Sequence, residues 1–231
     1  MLNSPRRHLP RLALAASLAA GAAFLPAAQA ATGTFFFTDT PYLSTADIPA
    51  GFYLGGAPTL LENLEDNVMV GVLTPNTGFP ITPGGNTDSV DADDGVIDGN
   101  GNGGRSWFGA APIRITFSGT GDLPTAFGLV WTDGTAGEWT FSAVAADDTS
   151  LGSITRTVGD GSIRGTTAED RFFGVQFAGG IKSITISGPG AVELDHIQFG
   201  TMAPVPEPTS AALLLAGLTL LARRRGLGGQ R

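Results

Sequence analysis

Apolar and polar residues alternate with a period of two through the second half of the chain. In "IRITFS", Ile113, Ile115 and Phe117 share one side while Arg114, Thr116 and Ser118 share the other. "EWTFSAVA" puts Trp139, Phe141 and Ala143 on one face, "RFFGVQF" does the same with Phe173, Val175 and Phe177, and "KSITIS" with Ile184 and Ile186. This alternation predicts strands buried on one side. Turn clusters such as "SGTGDLP", "TDGTAGE" and "AGG" separate them at short intervals. Strands so spaced, without helical runs between them, predict an all-β fold, an antiparallel β-sandwich or jelly roll. Only "PTLLENLEDN" at 58–67 reads as a helical turn, with an early proline, acids, and Leu60, Leu61 and Leu64 to bury. Residues 31–104 are irregular and 105–200 regular. The first part has too few apolar positions for a core of its own, so 31–203 is expected to be one domain.

Composition agrees. Thirty-four glycines and 15 prolines among 231 residues favour turns over long helices, and a 42% hydrophobic content suffices for a core. There is no cysteine, so no disulfide braces the fold. Residues 31–203 hold six basic residues against twenty acidic ones. Phosphate binding needs clustered Lys and Arg, so a nucleic-acid partner is excluded. An acidic body suits an exported protein or one that collects cations.

Both ends read as addresses. Arg6, Arg7 and Arg11 precede the apolar "LALAASLAAGAAFL", and "AAQA" supplies small residues at Ala28 and Ala30. Residues 1–30 are therefore expected to be a signal peptide that signal peptidase cuts after Ala30. Near the other end, Thr209 to Ala222 is a mostly apolar run of 14 residues followed at once by Arg223, Arg224 and Arg225. That is short for a transmembrane helix, and the arginines would hold it on the cytoplasmic side. Pro206-Glu207-Pro208, an apolar helix and an arginine cluster, in this order, resemble the PEP-CTERM sorting signal of Gram-negative bacteria. The same motif is also described as an ice-binding-protein C-terminal segment. The resemblance covers about residues 204–226 of an expected sorting segment 204–231, and implies recognition by an exosortase-type membrane protease. It implies transient anchoring in the inner membrane and delivery to the cell surface or extracellular matrix, among exopolysaccharide. The closing stretch "AVELDHIQFG" also resembles the last strand of exported jelly-roll domains.

"DSVDADDGVIDGNGNGGRSW" at 88–107 is the segment with distinctive chemistry. Asp88, Asp91, Asp93, Asp94 and Asp98 crowd together, with Asn100 and Asn102 following between glycines. Calcium takes six to eight oxygen ligands, and such a loop can supply them. "DGNGNG" matches the opening of an EF-hand loop, but position twelve is Gly109 rather than Glu, so an EF-hand is rejected. The expected calcium ligands are Asp91, Asp93, Asp94, Asp98, Asn100 and Asn102, joined by Asp195 from the last predicted strand. The competing readings are a solvated acidic loop and neutralisation by Arg105.

His196 is the one histidine downstream of the signal segment, which argues against zinc. A Ser-His-Asp triad with Asp195 is unfavourable because adjacent strand residues face opposite ways, and His196 is expected at the surface or a sheet edge. Asp147-Asp148 and Glu169-Asp170 are carboxylate pairs of the type glycosidases use, but both adjoin turn residues and read as solvated loops. Trp139 is expected in the core and Trp107 exposed. The expected function is a non-enzymatic, calcium-stabilised cell-surface or matrix protein associated with exopolysaccharide. The alternative is a secreted glycan-active hydrolase with paired carboxylates. An ice-binding role is disfavoured by the lack of regular Thr-x-Thr arrays.

Overall fold

The computed structural model describes residues 32–52, 60–82, 88–90, 104–162 and 167–201. The signal segment, the loop residues 91–103 and the sorting segment 204–231 lie outside the described residues.

Twelve strands follow the chain: β1 (Thr34–Phe37), β2 (Leu60–Glu62), β3 (Leu73–Pro75), β4 (Phe79–Pro80), β5 (Trp107–Ala110), β6 (Ile113–Phe117), β7 (Ala126–Gly134), β8 (Gly137–Ala145), β9 (Ser150–Val158), β10 (Arg171–Gln176), β11 (Ile181–Ser187) and β12 (Ala191–Gly200). The larger sheet runs β1-β10-β7-β12-β5-β4, with β2 also on β12, and the smaller runs β3-β6-β11-β8-β9. Every pairing is antiparallel. The fold is the antiparallel β-sandwich that the alternation predicts. From β9 onward successive strands switch sheets, which ties the two layers together.

The period-two faces meet between the layers. Ile113, Ile115, Trp139, Phe141, Ala143, Phe173, Val175, Ile184 and Ile186 are all buried in the main core. Trp131 of β7 meets Trp139 of β8 edge to face at 5.8 Å, and Phe141 lies 5.8 Å from Phe173 across the same gap. Such aromatic pairs add about 0.5–1.5 kcal/mol each beyond their buried area.

The expected helical turn at 58–67 is not there. Leu60–Glu62 is extended as β2 and pairs with Ile197–Phe199 of β12. Leu64 has φ of 63°, outside the helical range. The backbone of β12 offers an open edge at this point, and pairing with it outweighs a short helix's own hydrogen bonds. Leu64 is buried, while Leu60 and Leu61 remain exposed.

β7, β10 and β12 are buried on both faces. Residues 38–52 form a strap across the outer face of the larger sheet. Thr38 exchanges bonds with Phe172, its amide donating to the Phe172 carbonyl at 3.2 Å and its Oγ1 accepting from the Phe172 amide at 2.9 Å. The Tyr42 amide donates to the Asp170 carbonyl at 2.9 Å, and Gln176 Nε2 donates to the Gly51 carbonyl at 2.6 Å. Ser44 and Asp47 cap a short 3-10 turn within the strap. Beneath it a second core gathers Tyr42, Ile48, Phe52, Val90, Ala126, Val130 and Phe172.

That core is seated on two glycines in register, Gly128 and Gly174. A Cβ on Gly174 would lie 2.6 Å from the Phe52 ring and 2.7 Å from Phe172. Gly174→Val should therefore lift the strap and cost about 1–3 kcal/mol through overpacking. Urea unfolding of this variant beside the native chain measures it, and an unchanged midpoint would exclude the seat.

Candidate functional site

Three adjacent strands send acidic residues outward beneath and beside the strap. β7 lies between β10 and β12, and Val130 is the register partner of both Phe172 and Asp195. Asp170 lies two residues before Phe172, so alternation sets it on the same outer face, level with Thr132. Glu193 pairs with Asp133, and a bulge at this point shifts the register before Leu194 meets Trp131. A second irregularity between Asp195 and Gln198 gives His196 a φ of 42°. Asp88, Asp133, Glu169, Asp170, Glu193, Asp195 and His196 are all buried.

The segment Asp88–Val90 is pinned over these strands. Glu193 Oε2 accepts from the Asp88 amide at 2.8 Å and from Ser106 Oγ at 2.6 Å. Asp195 Oδ2 accepts from the Val90 amide at 2.8 Å and from Ser89 Oγ at 3.1 Å. Thr132 Oγ1 donates to the Asp88 carbonyl at 2.8 Å. Tyr42 Oη lies 3.4 Å from His196 Nδ1 and accepts from Gln198 Nε2 at 3.2 Å. These contacts tie the Asp88–Val90 backbone to Thr132 of β7 and to Glu193 and Asp195 of β12.

Buried carboxylates without cations opposite them hold protons more tightly. Burial raises Glu193 to about 7, against its hydrogen bonds from Ser106 and Asp88 and with the charges of Asp133 and Asp195 adding to the rise. Burial also raises Glu169 to about 7, with the Asp133 and Asp160 charges adding to it. Asp133 is raised to about 6, again chiefly by burial, while the Gly134 amide opposes. Asp170 is pushed well above the carboxylate range by burial and then by Asp88, Asp195 and Glu169. The ion pair among the described residues, Lys182 with Asp148, is on the exposed surface and neutralises none of this.

Asp133 and Glu193 open onto a cavity of about 440 Å³, which Phe108, Thr135 and Ser162 also line. Two opposed carboxyl groups that titrate near neutrality can share work, one giving a proton while the other acts as a carboxylate.

The expected ligands Asp91, Asp93, Asp94, Asp98, Asn100 and Asn102 lie outside the described residues. Asp195 is described, and its carboxylate accepts from Ser89, Val90 and the His196 amide. Among the described residues no group of three or more histidine, cysteine or acidic side chains could hold a metal ion.

Four expectations are corrected. His196 is fully buried rather than at the surface, because the bulge breaks the strand's alternation and turns it beneath the strap beside Tyr42. Asp195 bonds the His196 amide, through Oδ1 at 2.6 Å, so the triad fails on hydrogen bonding and not on opposed faces. Glu169 and Asp170 are buried, since their turn runs directly into β10 under the strap. Trp107 is buried too, its Nε1 donating to the Thr77 carbonyl at 2.9 Å. Asp147 and Asp148 lie in an exposed turn, as expected. Asp133 and Glu193 carried no motif. The readable signal was Glu193 and Asp195 alternating with Val192 and Leu194 along one long strand.

The raised carboxyls make stability depend on pH. Unfolded carboxyls titrate near 4, so the folded state binds more protons between about 4 and 7. The contribution is full below pH 4 and is lost as pH rises through 7. In cation-free buffer Glu193→Gln should remove roughly 2–3 kcal/mol of that decline. Unfolding free energies measured from pH 4.5 to 7.5 test it, and parallel curves for variant and native chain would refute it.

No protein-family model and no curated protein matches the chain. Among solved structures, the K3 cleaved adhesin domain of Lys-gingipain from Porphyromonas gingivalis w83 is similar over 62% of this chain and 98% of that one. The identity is 15% and the TM-score 0.35. The chain's own residues establish an all-antiparallel β-sandwich with an acidic face buried on the outside of its larger sheet.

Proposed function

We propose that this β-sandwich is an exported, carbohydrate-active domain, a secreted glycan hydrolase using Asp133 and Glu193 as its paired carboxylates. One observation carries the reading: the two are cross-strand partners that line the same cavity. As register partners lining one cavity, the two acids flank a single space, the arrangement a glycosidase's paired carboxylates require. Glu193, protonated near neutrality, gives its proton to the leaving glycosidic oxygen. Asp133 attacks the anomeric carbon, and water then releases the sugar while Glu193 takes the proton back. Phe108 offers an apolar wall for a sugar face.

A second reading rests on the bonding of Glu193. Its Oε2 already accepts two short hydrogen bonds, an arrangement suited to holding the cavity's shape. On this reading the cavity takes saccharide hydroxyls without cleaving anything, in a non-enzymatic surface protein associated with exopolysaccharide. Incubation with a polysaccharide panel, scored for retention and for new reducing ends, separates the two. Hydrolysis predicts reducing ends that fall at least about 100-fold in Glu193→Gln and in Asp133→Asn. Retention without new reducing ends selects the binder.

The addresses at the two ends complete the proposal. Signal peptidase would remove 1–30, the segment 204–231 would anchor the chain transiently, and an exosortase-type protease would act at Pro206-Glu207-Pro208. Glu207→Ala should leave the C-terminal segment attached in a host with that protease. The intact mass of the exported chain reads this directly, and normal shortening of the variant would refute the sorting role.

A further inference from the structure

We propose that the end of the sandwich where β12 finishes docks on a lipid bilayer surface through Leu60, Leu61, Val68 and Val70. This rests on the reading of 204–231 as a transient membrane anchor, and adds a contact that the anchor alone does not make. Leu60 and Val68 expose 60% and 61% of their surface, and Leu61 and Val70 are exposed as well. Single exposed apolar residues are ordinary, but a contiguous group of them marks a surface that something else covers.

Glu62 gathers the group. Its Oε1 accepts from the Leu64 amide at 2.7 Å and its Oε2 from the Val70 amide at 2.6 Å. One buried carboxylate on β2 thus fastens residues 64–70 back against the strand that carries Leu60 and Leu61. The far side of the loop is fixed too. The Asn67 amide donates to the Leu64 carbonyl at 2.8 Å, and the Arg105 amide to Glu65 Oε1 at 2.6 Å. A braced loop therefore holds these apolar side chains outward, against the tendency of apolar surface to leave water.

The occupant follows from where the chain goes next. Leu60 is the register partner of Phe199, and the Gly200 carbonyl, at the end of β12, accepts from the Thr125 amide at 2.9 Å. The chain leaves the sheet beside Leu60. Eight residue steps separate Thr201 from Thr209, where the apolar run begins, and they reach at most about 28 Å. β12 is ten residues long, which spans about 30 Å. With the run inserted in a bilayer, the body cannot turn over on so short a tether, and the end bearing Leu60 faces the lipid. Tethering raises the effective concentration of lipid at the patch, so a contact too weak to form alone becomes populated. The four side chains are uncharged and the body behind them is net acidic, so the partner is a zwitterionic surface rather than an anionic one.

The test uses the exported chain carrying 204–231, made in a host without the sorting protease and reconstituted in phosphatidylcholine vesicles. The sequence has no cysteine, so Val68→Cys and Thr157→Cys each take one environment-sensitive fluorophore. Thr157 pairs with Glu138 just past the β7–β8 turn, at the opposite end of the sheets. The label at position 68 should emit further to the blue and lose intensity to spin-labelled lipid, while the label at 157 does neither. Leu60→Glu with Leu61→Glu should abolish that quenching and leave flotation with the vesicles intact, since exposed substitutions of this kind leave the fold in place. If the chain floats but the two labels behave alike, docking is overturned while the anchor stands. If the chain does not float, the anchor reading itself fails and docking with it. Self-quenching of the label at 68 without lipid quenching hands the patch to a second copy, which also overturns the proposal.

Discussion

The structure depends on covering the outer face of the larger sheet. Once the 38–52 strap lies across β10 and β7, any carboxylate on that face leaves water, and its charge must be met by hydrogen bonds, protons or a cation. Glu193 and Asp195 are met by backbone amides and hydroxyls of 88–90 and Ser106. Among the described residues Asp170 is met by none of these, and burial favours its protonated form instead.

The covering also explains the packing. A sandwich needs one core between its sheets, and the Trp131–Trp139 and Phe141–Phe173 contacts supply it. The second core exists because Gly128 and Gly174 leave the outer face flat enough for Phe172 and Phe52 to lie on it. Aromatic burial there contributes free energy that the bare polar face could not, and it offsets the desolvation of the neighbouring carboxylates. The strap, the glycine seat and the acidic cluster therefore stand or fall together.

The cavity wall is braced through Asp88. Its amide donates to Glu193 and its carbonyl accepts from Thr132, so one short segment ties β7 to β12 and positions Glu193 at the cavity.

The sequence by itself determined the layers. Inward positions such as Ile113, Ile115, Trp139, Phe173 and Ile186 were legible because a half-buried strand writes its burial as a period of two. It did not show which outward positions would also be buried. Glu169, Asp170 and His196 looked solvated because polar residues beside turns normally are, and nothing local announces that a strap from a distant part of the chain will cover them. β2 was misread for the same reason, since its partner Ile197–Phe199 lies far along the chain. Only the tertiary structure brought Asp133 to Glu193 and Ser89 to Asp195. Such pairings arise from strand register and bulges across distant segments, and alternation within any one strand carries no information about them.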